Sequence, residues 1–235
     1  MNMIENEVSF DLRKNTLRDL NQALHDLSKT PGAKYWRVRN PDGAHAIAAG
    51  IKAPVTVNVE GHVGYYCAGM NQLATVIVHG NAGVGVAENM MSGLVHVKGD
   101  ASQAAGATAH GGTLIVNGNA SARCGISMKG VDILVKGNIG HMSAFMGQAG
   151  SLVVLGNAGE ALGDSIYEAR LFIRGSVASL GADCIEKTMG DKDKAYLAEK
   201  LKAAGMAGEV DVAEFKRYGS ARQLYNFHVD NAGAY

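Results

Sequence analysis

The stretch Thr75–Asp100, TVIVHGNAGVGVAENMMSGLVHVKGD, contains the pattern that decides the fold. Each end of it holds two aliphatic residues at alternate positions, followed by a glycine and then Asn or Asp, and the two glycines are nineteen residues apart. The same unit recurs without insertion or deletion, and its glycines are Gly61, Gly80, Gly99, Gly118, Gly137, Gly156 and Gly175. A strict period of this kind is the signature of a repeat architecture.

Aliphatic residues stand two and four positions before every repeat glycine. These fourteen residues are Val57, Val59, Val76, Val78, Val95, Val97, Leu114, Val116, Ile133, Val135, Leu152, Val154, Leu171 and Ile173. Alternating apolar residues that end at a glycine predict a short strand with one buried face and a turn that excludes side chains. Nineteen residues are too few for a βα unit of about 30 residues or a propeller blade of about 40. We therefore predict an all-β solenoid, a right-handed parallel β-helix of about seven coils.

Two further columns of the repeat support stacked coils. The residues seven positions after each glycine are all small, which predicts a narrow interior: Ala68, Ala87, Gly106, Gly125, Ala144, Gly163 and Ala182. The residues directly after the glycines are types that favour turns and can hydrogen-bond along a stack: Asn81, Asp100, Asn119, Asn138, Asn157 and Ser176. His62 interrupts this ladder in the first coil.

The flanks of the repeat are expected to cap the open ends of the column. Leucines at helical spacing predict a helix at 15–28 that begins at Asn15 or Thr16, and a second helix is expected at 192–204. The predicted organisation is an N-terminal cap segment at 1–50, the β-helix at 51–187, and a C-terminal helix with an aromatic docking tail at 188–235.

A second row of apolar residues should face outward from the strands. It includes Ile77, Ile115, Leu134, Val153 and Phe172. A strand that is apolar on both faces is covered on both faces. The cover is either the chain's own terminal segments or another subunit, and the sequence leaves both open.

The C-terminal tail is rich in aromatic and basic residues, which are typical of interface centres. We predict a partner interface formed by Phe215, Arg217, Tyr218, Arg222, Tyr225 and Phe227. The alternative is that the tail packs back onto the apolar outer row and is part of the fold.

Composition disfavours several functional classes. Lys+Arg and Asp+Glu number 22 each, so the basic surface of a nucleic-acid-binding protein is not expected. No apolar run of about 18 residues occurs, which predicts a cytoplasmic protein without a membrane span. A β-helix enzyme acting on carbohydrate needs a carboxylate cluster on one outer face. The outward position before each glycine is mixed and mostly basic, which disfavours such an enzyme.

No residue set in the sequence converges on a metal, a cofactor or a catalytic triad. Cys67 and Cys124 lie three coils apart, about 14 Å at 4.8 Å per coil, which is too far for a disulfide or a shared metal. Cys184 lies three coils further on, and all three are expected to be structural thiols. His79 and His96 are the best metal candidates, but they are expected about 8 Å apart and without a carboxylate partner.

The repeats, with GNAGVG at 80–85 and GNAGEALG at 156–163, resemble the GXGXG β-helix domain of the glutamate synthase large subunit. The resemblance covers 50–185. The flanks, including YWRV at 35–38 and FKRYGSARQLYNF at 215–227, are most similar to the stand-alone GXGXG chain of the N-methylglutamate synthases.

This resemblance implies a non-catalytic subunit of a three-chain complex. The implied partners are an amidotransferase-like chain and a synthase chain that carries FMN and an iron–sulfur cluster. Together they would convert glutamate and methylamine to N-methylglutamate and ammonia, and no catalytic residue carries over to this chain. Ordinary glutamate synthase and a formylmethanofuran-dehydrogenase-type complex are the alternatives, because they share the fold.

Overall fold

A computed structural model describes residues 7–30 and 32–223 of the chain. The strands are β1 (Glu7–Asp11), β2 (Tyr35–Arg39), β3 (Thr56–Glu60), β4 (Thr75–Val78), β5 (Leu94–Val97), β6 (Thr113–Val116), β7 (Lys129–Val135), β8 (Ala149–Val154), β9 (Arg170–Ile173), β10 (Cys184–Lys187) and β11 (Lys216–Ser220). The helices are α1 (Leu17–Asp26) and α2 (Asp191–Ala203), and a 3-10 turn spans Val212–Glu214.

The strands form one sheet in which consecutive coils are stacked in parallel. Its order is β1-β2-β3-β4-β5-β6-β7-β8-β9-β11-β10, and every pair from β1 to β9 is parallel. From β3 onward equivalent residues pair, so Val57 lies beside Val76 and Val95 beside Leu114. The predicted parallel β-helix of about seven coils is confirmed.

The core of the column is the stack of aliphatic pairs. All fourteen side chains predicted to face inward have 0% exposure. Removing this apolar surface from water is the main source of stability for the column. The alternation in the sequence therefore predicted correctly which strand residues face inward.

The N-terminal segment contributes to the column as well as covering its end. Residues Tyr35–Arg39 pair in parallel with Thr56–Glu60, and Trp36 and Val38 are buried while their neighbours are exposed. This coil runs 21 residues from Tyr35 to its partner Thr56, so the nineteen-residue period missed it. The column thus begins before residue 51, the start that the repeat predicted.

Helix α1 closes the first end of the column. Thr16 caps it, since its hydroxyl accepts from the Asp19 N–H while the Asp19 carboxylate accepts from the Thr16 N–H, both at 3.2 Å. Leu20 and Leu24 have 0% exposure and pack into the core. The Asn21 side chain donates to the Ala46 carbonyl at 2.9 Å and accepts from the Ala48 N–H at 3.0 Å. The helix is thus joined to the coil that begins at Tyr35 by both apolar and polar contacts.

The C-terminal elements close the other end and cover part of the outer face. Strand β11 inserts antiparallel between β9 and β10. Helix α2 places Leu197 and Leu201 in an apolar cluster with the outward residues Leu134, Val153 and Phe172. This part of the outer row is therefore covered by the chain's own C-terminal helix and not by another subunit.

Candidate functional site

The repeat glycines lie where one coil passes over the backbone of the coil before it. A Cβ atom at Gly137 would come within 2.7 Å of the Gly118 carbonyl oxygen and 2.5 Å of Asn119 Oδ1. Both contacts are far shorter than van der Waals separation. The glycines from Gly80 to Gly175 are thus required by close approach between coils, rather than by an unusual backbone angle of their own.

The asparagine ladder forms as predicted. Each side-chain oxygen accepts from the backbone N–H of the ladder residue in the next coil, over 2.7–2.9 Å, from Asn81 through to Ser176. His62 does not interrupt the ladder, because its Nδ1 accepts from the Asn81 N–H at 2.9 Å. The expected break in the first coil was wrong, since an imidazole nitrogen can replace an amide oxygen as acceptor.

The small-residue column has a second cause besides a narrow interior. Ala68, Ala87 and Ala144 have φ values of 53° to 58°, in the left-handed region that few residues adopt. Two neighbouring columns share this conformation, for example at Tyr66 and Met70, where φ is 61° and 54°. Alternate residues along this loop are therefore left-handed in successive coils. Residue size in the sequence therefore drew attention to only one of the three left-handed columns, because the residues of the other two are not all small.

The three cysteines are buried and free. Burial raises the pKa of the Cys67 and Cys124 thiols to about 12, and burial together with the Asp183 carboxylate does the same for Cys184. Thiols with such high pKa values are weak nucleophiles and weak metal ligands at neutral pH. Their position agrees with the structural role predicted from the sequence.

His79 and His96 each bond to an asparagine on a neighbouring coil. His79 Nε2 lies 3.1 Å from Asn58 Oδ1, and His96 Nε2 lies 3.0 Å from Asn117 Oδ1. Burial lowers the pKa of His96, and the charge of Lys98 lowers it further. Within residues 7–30 and 32–223, no group of three or more His, Cys, Asp or Glu side chains is placed to hold a metal ion.

Two of the six residues predicted to form a partner interface are buried within the fold. Phe215 is 4% exposed in the cluster beneath α2, and Tyr218 is 5% exposed in the main core. Arg217 Nε lies 3.2 Å from Asp193 Oδ1 of α2, and Arg222 pairs with Glu168 at 2.9 Å. Tyr225 and Phe227 lie outside the described residues. The alternative that the tail packs back onto the column therefore accounts for Phe215 and Tyr218, whose side chains are not available to a partner.

A polar cluster that the sequence did not indicate lies between α2 and the sheet. Asp132 accepts from Lys200 Nζ at 2.9 Å, from Ser151 Oγ at 2.6 Å and from the Tyr196 hydroxyl at 3.3 Å. The Arg170 guanidinium lies 4.5 Å from the centre of the Tyr196 ring. Burial lowers the pKa of Lys200, but the hydrogen bond and charge of Asp132 outweigh it and raise the pKa above 10.5. The cluster attaches α2 to β7, β8 and β9.

These observations define a solenoid whose cysteine thiols are buried and whose Asp132 and Lys200 side chains bond to each other within the fold. Across the described ranges, no helix is long and apolar enough to cross a membrane. The repeat and the stacked coils place the molecule among the parallel β-solenoids.

Comparison with known proteins gives the family. No protein-family model matches the chain. Protein GlxC of Rhizobium meliloti (strain 1021) is 64% identical over 225 residues, which is 96% of this chain and 98% of GlxC. The chain therefore belongs to the same glutamate synthase-like family as Protein GlxC.

Proposed function

We propose that this chain is the non-catalytic β-helix subunit of an N-methylglutamate synthase. In this reaction glutamate and methylamine give N-methylglutamate and ammonia, so that one amine replaces another on the glutamate carbon. Support for this particular enzyme comes from the flanks, YWRV at 35–38 and FKRYGSARQLYNF at 215–227, which resemble those of its stand-alone GXGXG chain.

The observation that supports a scaffold role is the use of ionisable side chains within the column. The Asp132–Lys200 pair attaches α2 to the sheet, and the Arg217–Asp193 pair connects β11 to the same helix. The ladder carboxylate of Asp100 accepts from the Asn119 N–H at 2.7 Å. Groups of this kind hold segments in place, whereas a catalytic group must reach a substrate.

The proposed complex divides the chemistry between two other chains. An amidotransferase-like subunit would release or transfer the amine, and a synthase subunit with FMN and an iron–sulfur cluster would carry out the redox steps. The column would hold both subunits in fixed relative positions, so that the amine passes between them without loss to solvent. On this proposal the present chain binds neither cofactor.

The test is to purify the chain with a C-terminal affinity tag from its own cells and assay what copurifies. We expect two partner subunits, a flavin spectrum in the complex, and glutamate-dependent consumption of methylamine. The isolated chain should be colourless and should bind neither flavin nor iron stoichiometrically.

The choice of amine separates the alternatives. A complex that aminates 2-oxoglutarate with ammonia or glutamine, and ignores methylamine, would instead be an ordinary glutamate synthase. Copurification with formylmethanofuran dehydrogenase subunits would refute both synthase assignments. Flavin in the isolated chain would contradict the scaffold role.

A further inference from the structure

Three large apolar side chains are exposed together on the loops of the early coils. Met70, Leu73 and Met91 are 47%, 54% and 46% exposed. The Met91 N–H donates to the Asn71 carbonyl at 2.7 Å, which places Met91 in the next coil directly beside the segment that holds the other two. We refer to Met70, Leu73 and Met91 as the loop patch.

The later coils show that the fold does not require apolar residues at these positions. The repeat equivalents of Met70 are Asn89, Thr108, Ser127, Met146 and Ser165. Those of Leu73 are Ser92, Gly111, Gly130, Ala149 and Glu168, and those of Met91 in the later coils are His110, Lys129, Gln148 and Tyr167. Most are polar or small on the same backbone. Exposed apolar surface limited to one part of a repeat indicates a binding role for that part.

A groove opens next to the loop patch. It has a volume of about 500 Å³ and is lined by His25, Ser28, Lys29, Gly50, Lys52, Met70 and Gln72. This volume is large enough for one or two side chains of another protein. Met70 belongs to both the groove and the patch, so the two form one continuous surface.

The border of this surface is mainly basic. Lys29 and Lys52 line the groove, and His110 and Lys129 continue the Met91 column in the next two coils. Two carboxylates offset part of that charge: Asp26 lies 3.4 Å from Lys29, and the half-buried Glu88 belongs to the segment whose backbone bonds to Met70. The neighbourhood thus combines apolar side chains with cations, and it complements a segment that combines apolar side chains with carboxylates.

The described helices do not supply that segment. Leu20 and Leu24 of α1 point into the column, and Leu197 and Leu201 of α2 lie on the outer face of the sheet. A second copy of this chain in a two-fold dimer would bring the same basic border against itself. Electrostatics therefore favours a different protein as the occupant.

We propose that the loop patch and its groove bind a segment of a partner subunit that carries apolar side chains next to Asp or Glu. This inference rests on the proposed function, in which the chain works in a complex, and it assigns the surface that one partner contacts. The apolar side chains fill the groove beside Met70, and the carboxylates lie near Lys52 and Lys129.

The test uses the chain co-expressed with the amidotransferase-like and synthase subunits. Met91→Glu is the disrupting variant, and Gln148→Glu is its matched control, because it places the same charge at the same exposed repeat position three coils later. We expect Met91→Glu to weaken association by about tenfold or more, as for an interface hot spot, while Gln148→Glu stays within about twofold. Lys52→Glu should weaken association most at low salt.

A photo-crosslinker at position 91 identifies the occupant. We expect it to label an acidic, apolar segment of one partner subunit, and a crosslinker at position 148 should not label that segment. The unfolding midpoint of the isolated Met91→Glu chain should equal that of the wild type.

Three outcomes would overturn the inference. Unchanged assembly of Met91→Glu would show that the surface is not an interface. A lowered unfolding midpoint would show that the chain's own segments cover it, and a dimer of the isolated chain that Met91→Glu dissociates would make the occupant a second copy. The amine assay on the wild-type complex is independent of these variants, so failure of the proposed reaction is distinguishable from failure of the interface.

Discussion

The Lys200 ammonium lies 2.9 Å from the Asp132 carboxylate, and both side chains are less than one-fifth exposed. One belongs to α2 and the other to β7, so this pair joins two elements that are far apart in sequence. The same carboxylate accepts from Ser151 and Tyr196. Removing Lys200 would leave the partly buried Asp132 carboxylate without its cation and with fewer hydrogen bonds.

We predict that Lys200→Met lowers the free energy of unfolding by about 1–3 kcal/mol, since Asp132 loses a charged partner in a site with little water. Urea unfolding measures this change. Lys202→Met is the control, because it makes the same substitution at an exposed position of the same helix, and it should have almost no effect. Equal effects of the two variants would show that the pair adds nothing to stability.

The buried thiols predict a loss of stability in alkali. The pKa of Cys67 is raised from 9.0 to about 12 by burial, so between these values the folded chain keeps a proton that the unfolded chain releases. The free energy of unfolding therefore falls as pH rises above about 9. Cys67→Ala should reduce this slope when unfolding is measured at about pH 8, 10 and 11, and native protein at about pH 8 should resist thiol reagents. Rapid labelling of Cys67 in the native state would contradict the burial.

The inner stack predicts the effect of a buried charge. Val116 has 0% exposure in the middle of the column, so Val116→Asp places an unpaired carboxylate in the core and should cost several kcal/mol, which prevents folding. Circular dichroism and solubility report the outcome. Gln103→Asp adds the same charge at an exposed loop position and should fold normally.

The glycine and asparagine columns predict energetic coupling between adjacent coils. Asn119→Ala removes the acceptor for the Asn138 N–H and should cost about 1 kcal/mol. Gly137→Ala should cost more, because its Cβ would lie 2.5 Å from Asn119 Oδ1 and 2.7 Å from the Gly118 carbonyl. In the double variant the new Cβ no longer meets the Asn119 side chain. The double variant should therefore lose less free energy of unfolding than the two single variants added together. Strict additivity in urea unfolding would argue against the close approach.

The C-terminal segment predicts a structural role for its first aromatic residue. Phe215 is buried with Leu134, Val153 and Phe172, so Phe215→Ala should cost about 3–5 kcal/mol in the isolated chain. Arg222→Ala is the control, since that side chain is 62% exposed and its ion pair is worth little. A pure docking tail would instead leave the stability of the isolated chain unchanged.

The sequence predicted the column because each inward position repeats at a fixed spacing. The repeat missed the coil that begins at Tyr35, because Tyr35 and its partner Thr56 are 21 residues apart, although the alternation at Trp36 and Val38 was visible. The cluster around Asp132 could not be predicted, since its five residues come from four elements, β7, β8, β9 and α2, and a sequence does not show which elements meet. For Phe215, aromatic composition is the same for a docking tail and for a segment that packs on its own chain.

The repeat spacing limits how such a gene can change in length. Every ladder bond from Asn81 to Ser176 joins residues nineteen apart, and the glycine of one coil must sit over the backbone of the one before. An in-frame insertion of a single codon inside a strand would turn its valines outward and displace the glycine from that crossing. The middle of the column therefore lengthens in steps of nineteen codons, each adding about 4.8 Å of height. In any enzyme complex assembled around the column, the distance between subunits bound at its two ends would change in the same steps.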